Sequence, residues 1–285
     1  MVTFVGLTGG PIWYFRRRAI RNDRLRRKEI PYIMGEAIQD SAQFFGRREL
    51  LTRLRDTIVT TSYALVGEFR IGKTSIQYQF ARLLESLQDP KYVFLPVFVD
   101  LQRLEKRNDR FFHFLGKHLI ELAQAHGGSS SVLDHLEYQA LPVERYDSIA
   151  FNDDLNILLE HWSAEFSPRK PLVVLQIDEV SLLSSLDYDT LLAFRAVFVS
   201  EPLIKTVLSG RSIPKNQDRP ELSPWWNFLR EIEVEPLTPT EAQELIEQPV
   251  RGVGPFQQRE PSLARNRWPV GAYVQSHPFS LDQGQ

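Results

Sequence analysis

The run Gly67-Glu68-Phe69-Arg70-Ile71-Gly72-Lys73-Thr74 constrains this chain more than any other feature. Two glycines bracket a short loop, and Lys and Thr follow the second at once. Such a run works as a sharp turn from a strand into a helix. The turn aims successive N–H groups at one anion, and the helix adds its positive end. The flanks agree. Ser62 to Val66 reads as a short buried strand, and from Lys73 to about Leu87 the apolar residues recur at helical spacing. Phosphate oxygens are the expected ligand, with Lys73 reaching the β- and γ-phosphates and the Thr74 hydroxyl ligating Mg²⁺. Gly67, Arg70, Ile71, Gly72 and Ser75 complete the candidate contacts. Arg70 has the ordinary alternative of a solvated or packing residue, and the whole run that of a Gly-rich turn.

The rest of the chain supplies the matching architecture. Tyr92 to Leu101, Leu172 to Ile177 and Ile204 to Leu208 are almost wholly apolar, as strands covered on both faces are. Beside the loop strand and these three, Ile232 to Val234 reads as a short fourth apolar strand. Helices are expected over Leu50 to Ile58, Phe111 to Ala125, Asp153 to Phe166 and Tyr188 to Val199. Thr238-Pro239-Thr240-Glu241 reads as a capped helix start, with Pro at its first position, leading to about Glu247. Gly127 to Ser131 marks a loop, and Val132 to Ser148 carries no clear pattern. Strands alternating with helices predict an α/β fold, three layers deep, with a mostly parallel sheet.

A second motif suits the first. Leu172 to Ile177 ends in Asp178-Glu179, an apolar strand running into an acidic pair. Asp178 is placed to hold the Mg²⁺ shell, and Glu179 to polarise an attacking water. A plain strand-terminal turn is the alternative. Arg211 follows Ser209-Gly210 at the end of another apolar strand, on the sheet edge expected to carry the loop. It is a candidate γ-phosphate contact, or equally a salt-bridge partner for a neighbouring acid. The six histidines show no metal spacing, and no Ser-His-Asp arrangement is suggested. The absence of cysteine excludes disulfides, zinc–thiolate sites and thiol catalysis. Trp225-Trp226 reads as a core anchor or an interface.

The ends differ from the middle. Val2 to Phe15 carries no charge, and Arg16 to Lys28 holds eight Arg or Lys against Asp23 alone. As a helix the apolar stretch would cover about 21 Å, against a hydrocarbon core of about 30 Å, so it does not span alone. The readings are the end of a membrane helix with a cytoplasmic basic flank, a surface anchor over residues 2–28, or a basic leader. Residues 251–285 are rich in Pro, Gln, Arg and Ser and lack sustained periodicity. The expected division is therefore a leader over 1–30, a main domain over 31–250 and an irregular tail over 251–285. The formal net charge of -2 over 285 residues argues against a generally basic nucleic-acid binder.

Several of these residues together resemble a known family. Pro31-Tyr32-Ile33, Phe45-Gly46-Arg47-x-Glu49-Leu50, the phosphate loop, Phe98-Val99-Asp100-Leu101, the Asp178-Glu179 strand and Ser209-Gly210-Arg211 resemble the AAA-like ATPase domain of the STAND class of signal-transduction NTPases. They are similar also to archaeal-type ATPases and, more distantly, to origin-recognition AAA+ proteins. The resemblance covers roughly residues 31 to 250. It implies a P-loop NTPase fold of the additional-strand type, ATP as the nucleotide, and Glu179 as the hydrolytic acid. It implies that Gly46 and Arg47 lie near the adenine and ribose. It implies a regulatory switch that hydrolyses ATP slowly and drives attached protein domains or self-association. The expected place is the cytoplasm, or the cytoplasmic face of a membrane if residues 2–28 make contact there.

The chain departs from the family in two places. Arg48 stands where an acid often follows Gly-Arg. The helical lid stops after its first piece, Thr238 to Glu247, without the Gly-x-Pro signature, so the lid is expected to be incomplete and the chain truncated or frame-shifted near residue 253. The alternatives are a DNA-associated AAA+ ATPase of the origin-recognition or transposition-loader type, and an ATP-binding scaffold without turnover.

Overall fold

The computed structural model describes residues 35–104, 110–126, 130–213, 225 and 227–250. The basic leader, the Pro31-Tyr32-Ile33 segment, Trp226 and the tail over 251–285 lie outside the described residues.

Helix α1 spans Arg48–Thr57 and strand β1 Ser62–Val66, after which the chain turns through the glycine loop into α2, Lys73–Ser86. Strand β2 spans Tyr92–Asp100. The long crossover to the next strand holds α3 (Phe111–Ala125), the short helices α4 (Ser130–Leu133) and α5 (Glu137–Ala140), and α6 (Ser148–Glu165). Then follow β3 (Lys170–Asp178), α7 (Tyr188–Ser200), β4 (Ile204–Gly210), β5 (Leu229–Glu233) and α8 (Pro239–Glu247).

The five strands form one sheet in the order β2-β3-β4-β1-β5, and every pairing is parallel. β4 is inserted between β1, which feeds the glycine loop, and β3, which ends in Asp178. This is the additional-strand arrangement. Parallel pairing places all C-terminal strand ends on one edge: Val66 lies beside Gly210 and beside Glu233, and Asp100 lies beside Asp178.

The pleat divides the core. Ala64 and Val66 of β1 join one apolar cluster with α3, α6 and α7, while Tyr63 and Leu65 join a second with Leu54 of α1, Ile58 just after it, and Ile76, Phe80 and Leu84 of α2. Successive strand residues point to opposite faces, so a strand buried on both must be apolar throughout. β3 shows this: all but its first residue are buried. The result is the expected three-layer α/β/α sandwich.

Several elements differ from the sequence expectation: α1 starts two residues early, at Arg48, α4 starts at Ser130 inside the expected loop, and α6 and β5 depart for reasons the structure shows. α6 begins at Ser148 rather than Asp153, because the Asp147 side chain caps it, accepting from the N–H groups of Ile149 at 2.9 Å and Ala150 at 3.1 Å. The last strand begins at Leu229 and ends at Glu233, one residue before the expected Val234. Its Arg230, Glu231 and Glu233 are exposed, as edge-strand residues often are, and they mask the apolar pattern. Among the described residues no helix is long and apolar enough to cross a membrane.

Candidate phosphate-binding site

The loop between β1 and α2 is held from below. Val234 donates its N–H to the Val66 carbonyl at 2.7 Å, and a Cβ on Gly67 would sit 2.9 Å from the Val234 oxygen. Only glycine fits that approach. At the other end Gly72 (φ 100°) caps α2 from the left-handed region, where a side chain is strained. Between them Arg70 also adopts a left-handed conformation (φ 62°). Phe69 is 74% exposed, with the Arg70 guanidinium 5.4 Å from its ring centre. Ile71 is partly buried against the α1–α2 face.

Lys73 folds into the loop. Its Nζ donates to the carbonyls of Gly67 and Glu68, each at 2.8 Å. Burial pulls its pKa down, and the nearby carboxylates of Asp178, Glu179 and Glu68 oppose that shift. The Thr74 hydroxyl donates to Asp178 Oδ2 at 2.6 Å across 104 residues of sequence. Asp178 is 5% exposed, and its other oxygen accepts a short hydrogen bond from the Ser209 hydroxyl. Hydroxyl and carboxylate oxygens together are the donor set a hard divalent cation prefers, so this pair fits Mg²⁺. Among the described residues no group of three or more His, Cys, Asp or Glu side chains is placed to hold a metal. Thr74 and Asp178 would share the ion with phosphate and water oxygens.

Glu179 leaves the strand in a left-handed turn (φ 58°), with its N–H donating to Asp178 Oδ1 at 3.0 Å. The turn separates the two acids. Asp178 faces Thr74, and the Glu179 carboxyl meets the Gln102 side chain. Its pKa is raised, first by burial, then by the neighbouring charges of Asp178 and Asp100; Lys73 and Gln102 oppose the shift. Arg211 is exposed just past the end of β4, on the same sheet edge.

Gly46 and Arg47 sit beside the loop rather than in it. Arg47 Nη2 reaches the Ile71 carbonyl at 3.5 Å, and the Arg47 N–H donates to Glu241 Oε1 at 2.6 Å. The Ser75 hydroxyl accepts from the Ile38 N–H at 2.9 Å. One turn further on, Gln79 donates to the carbonyls of Ile38 and Gln39 at 3.0 Å. The segment before α1 is thereby strapped along α2.

Three side chains that tie the site's elements together escaped the sequence reading. Ser209 was seen only as a residue preceding Arg211. Gln77 is fully buried on α2 and donates to the carbonyls of Ile177 at 3.3 Å and Val207 at 3.1 Å, fixing the helix to β3 and β4. Glu241 carried a capping-box signal, which says nothing of its second contact with Arg47.

No known family profile matches this chain, and no curated protein sequence does. Solved structures do. A Walker-type ATPase of Pyrococcus abyssi superposes with a TM-score of 0.56 at 18% identity, covering 79% of this chain and 63% of its own. The ORC1 protein of Aeropyrum pernix, solved in complex with DNA, gives 0.46 at 15% identity, covering 73% and 50%. The Drosophila ORC bound to GC-rich DNA and Cdc6 gives 0.44 at 11% identity, covering 88% and 36%. The chain thus spans less than two thirds of each of these. The first likeness, with the strand order and the glycine loop, makes the fold that of the P-loop NTPases.

Proposed function

We propose that this chain binds ATP with Mg²⁺ at the phosphate loop and hydrolyses it slowly, as the switch module of a STAND-like or archaeal-type ATPase. The observation that carries the reading is the Thr74–Asp178 hydrogen bond at 2.6 Å, which joins the loop to the acidic strand in a place that suits a magnesium ion. The expected domain is residues 31–250, with self-association or attached protein domains as partners. Adenine rather than guanine rests on the resemblance, since the chain has no Asn/Thr-Lys-x-Asp run.

In this reading the loop N–H groups and the α2 N-terminus hold the β-phosphate. Lys73 leaves the Gly67 and Glu68 carbonyls for the phosphate oxygens. Mg²⁺, held by Thr74 and Asp178, would neutralise charge on the β- and γ-oxygens. Glu179 accepts a proton from the attacking water as its oxygen bonds to the γ-phosphorus. The bond from phosphorus to the bridging oxygen breaks, and ADP and phosphate leave. Arg211 is offered as the γ-phosphate contact.

Lys73→Ala removes a charged donor to phosphate, worth about 1.5–3 kcal/mol. ATP affinity in the presence of Mg²⁺, measured by calorimetric titration, should therefore fall by roughly 10- to 100-fold. Unchanged affinity would sink the proposal. A pH profile tests the base. Glu179 acts as a base only when ionised, and its pKa is raised. Hydrolysis is therefore lost as pH falls through that raised value. The acid limb of kcat/KM, which reports the free protein, should lie above the ordinary glutamate range of about 4.3, and Glu179→Gln should abolish the limb.

A further inference from the structure

Helix α8 buries none of its residues. A helix without buried side chains takes little positional restraint from the core, so the bonds at its start weigh heavily on its place. Those bonds converge on one carboxylate. Glu241 Oε2 accepts from the Thr238 N–H at 2.9 Å and from its hydroxyl at 3.0 Å, while Thr238 Oγ1 accepts from the Glu241 N–H at 3.3 Å. That is a complete capping box, and it occupies one oxygen only. The other oxygen, Oε1, accepts from the Arg47 N–H at 2.6 Å across 194 residues.

The turn that Glu241 grips is shaped for it. Gly46 (φ 74°) and Arg47 (φ 61°) are consecutive left-handed residues. A Cβ on Gly46 would lie 2.8 Å from Glu241 Oε1 and 2.9 Å from its carboxyl carbon. The turn also touches the phosphate loop, through Arg47 Nη2 at 3.5 Å from the Ile71 carbonyl. The chain leading into α8 is fixed to the loop's base as well, through Val234 against Val66 and Gly67.

We infer that Glu241 is a positioning residue of the nucleotide site, clasping the Gly46–Arg47 turn to the start of α8 so that occupancy of the phosphate loop is passed to that helix. The inference rests on the nucleotide-binding reading. Its path runs from Ile71 to Arg47 to Glu241, and a shift of the Ile71 carbonyl on phosphate binding alters the turn that holds the helix.

Hydrogen exchange on the full chain, with and without Mg²⁺ and ATP, tests it. In the unchanged protein ATP should slow exchange both in the phosphate loop and in residues 239–247, the latter by about three- to tenfold, the net worth of one hydrogen bond. In Glu241→Ala the loop should still be protected, while the α8 response disappears. Thr238→Ala is the control. It removes the capping hydroxyl and leaves the Arg47 contact, so α8 frays faster in it yet still responds to ATP. Should α8 respond equally in Glu241→Ala, or fail to respond in the unchanged protein while the loop is protected, the clasp is overturned and ATP binding stands. Should neither segment respond, the nucleotide reading falls and the clasp with it.

Discussion

Glu179→Gln should lower steady-state phosphate release by roughly 10²- to 10⁴-fold, the usual worth of a positioned general base. Mg²⁺-ATP affinity should stay within a factor of about two, since no binding charge is lost to the phosphates. The reason is geometric. Asp178 is buried and engaged on both oxygens, by Thr74 and Ser209, so it has little capacity left to take a proton from water. Glu179 turns away in a left-handed conformation and stays partly exposed at the same strand end. Burial and the charges of Asp178 and Asp100 raise its proton affinity, which suits a group that must take a proton from water. A glutamine keeps the size of the side chain and its contact with Gln102 but cannot take the proton. Unaltered phosphate release in this variant would leave an ATP-binding scaffold, or a different base, as the account.

The largest effect on stability is expected at Asp154, far from the loop in sequence. This residue of α6 is 3% exposed. Its carboxylate accepts from the N–H groups of Glu137 at 2.6 Å and Tyr138 at 2.9 Å, and from the Tyr146 hydroxyl at 2.8 Å. It therefore fixes the start of α5, a helix of four residues too short to form alone. The Tyr146 ring is itself buried, and a Cβ on Gly116 of α3 would lie 2.9 Å from its hydroxyl oxygen, so the hydroxyl has no room to seek another partner. Asp154→Ala strands these donors together. Unfolding in urea should show a loss of about 3 kcal/mol or more, because each buried unsatisfied donor costs about 1–3 kcal/mol. Asp154→Asn keeps one acceptor oxygen and should fall between. A loss under about 0.5 kcal/mol, the range of ordinary surface substitutions, would mean that the network does not hold the crossover.

Much of this was legible beforehand. β3 is buried on both faces, so its apolar run declared it, and the acids at its end could only lie at a strand terminus. The glycine loop declared itself by residue type, because the tight approach of Val234 to Gly67 excludes any side chain there. β5 was harder. Only Ile232 within it is buried, so its polar edge hid the strand's first residues. The start of α6 was missed for a different reason: its first turn is set by the Asp147 cap and carries little apolar periodicity.

Local pattern thus determined the strand–loop–helix unit, the acidic strand end and the alternation that demands a parallel sheet. These follow from neighbours within a few residues, where period and turn chemistry act. Strand order, and with it the company each acid keeps, was decided only by the tertiary structure. Insertion of β4 between β1 and β3 brought Ser209 to Asp178. The docking of α8 brought Glu241 to Arg47, 194 residues away. A single polar side chain that bonds across the fold leaves no period in the sequence, because its partner is chosen by packing and not by spacing.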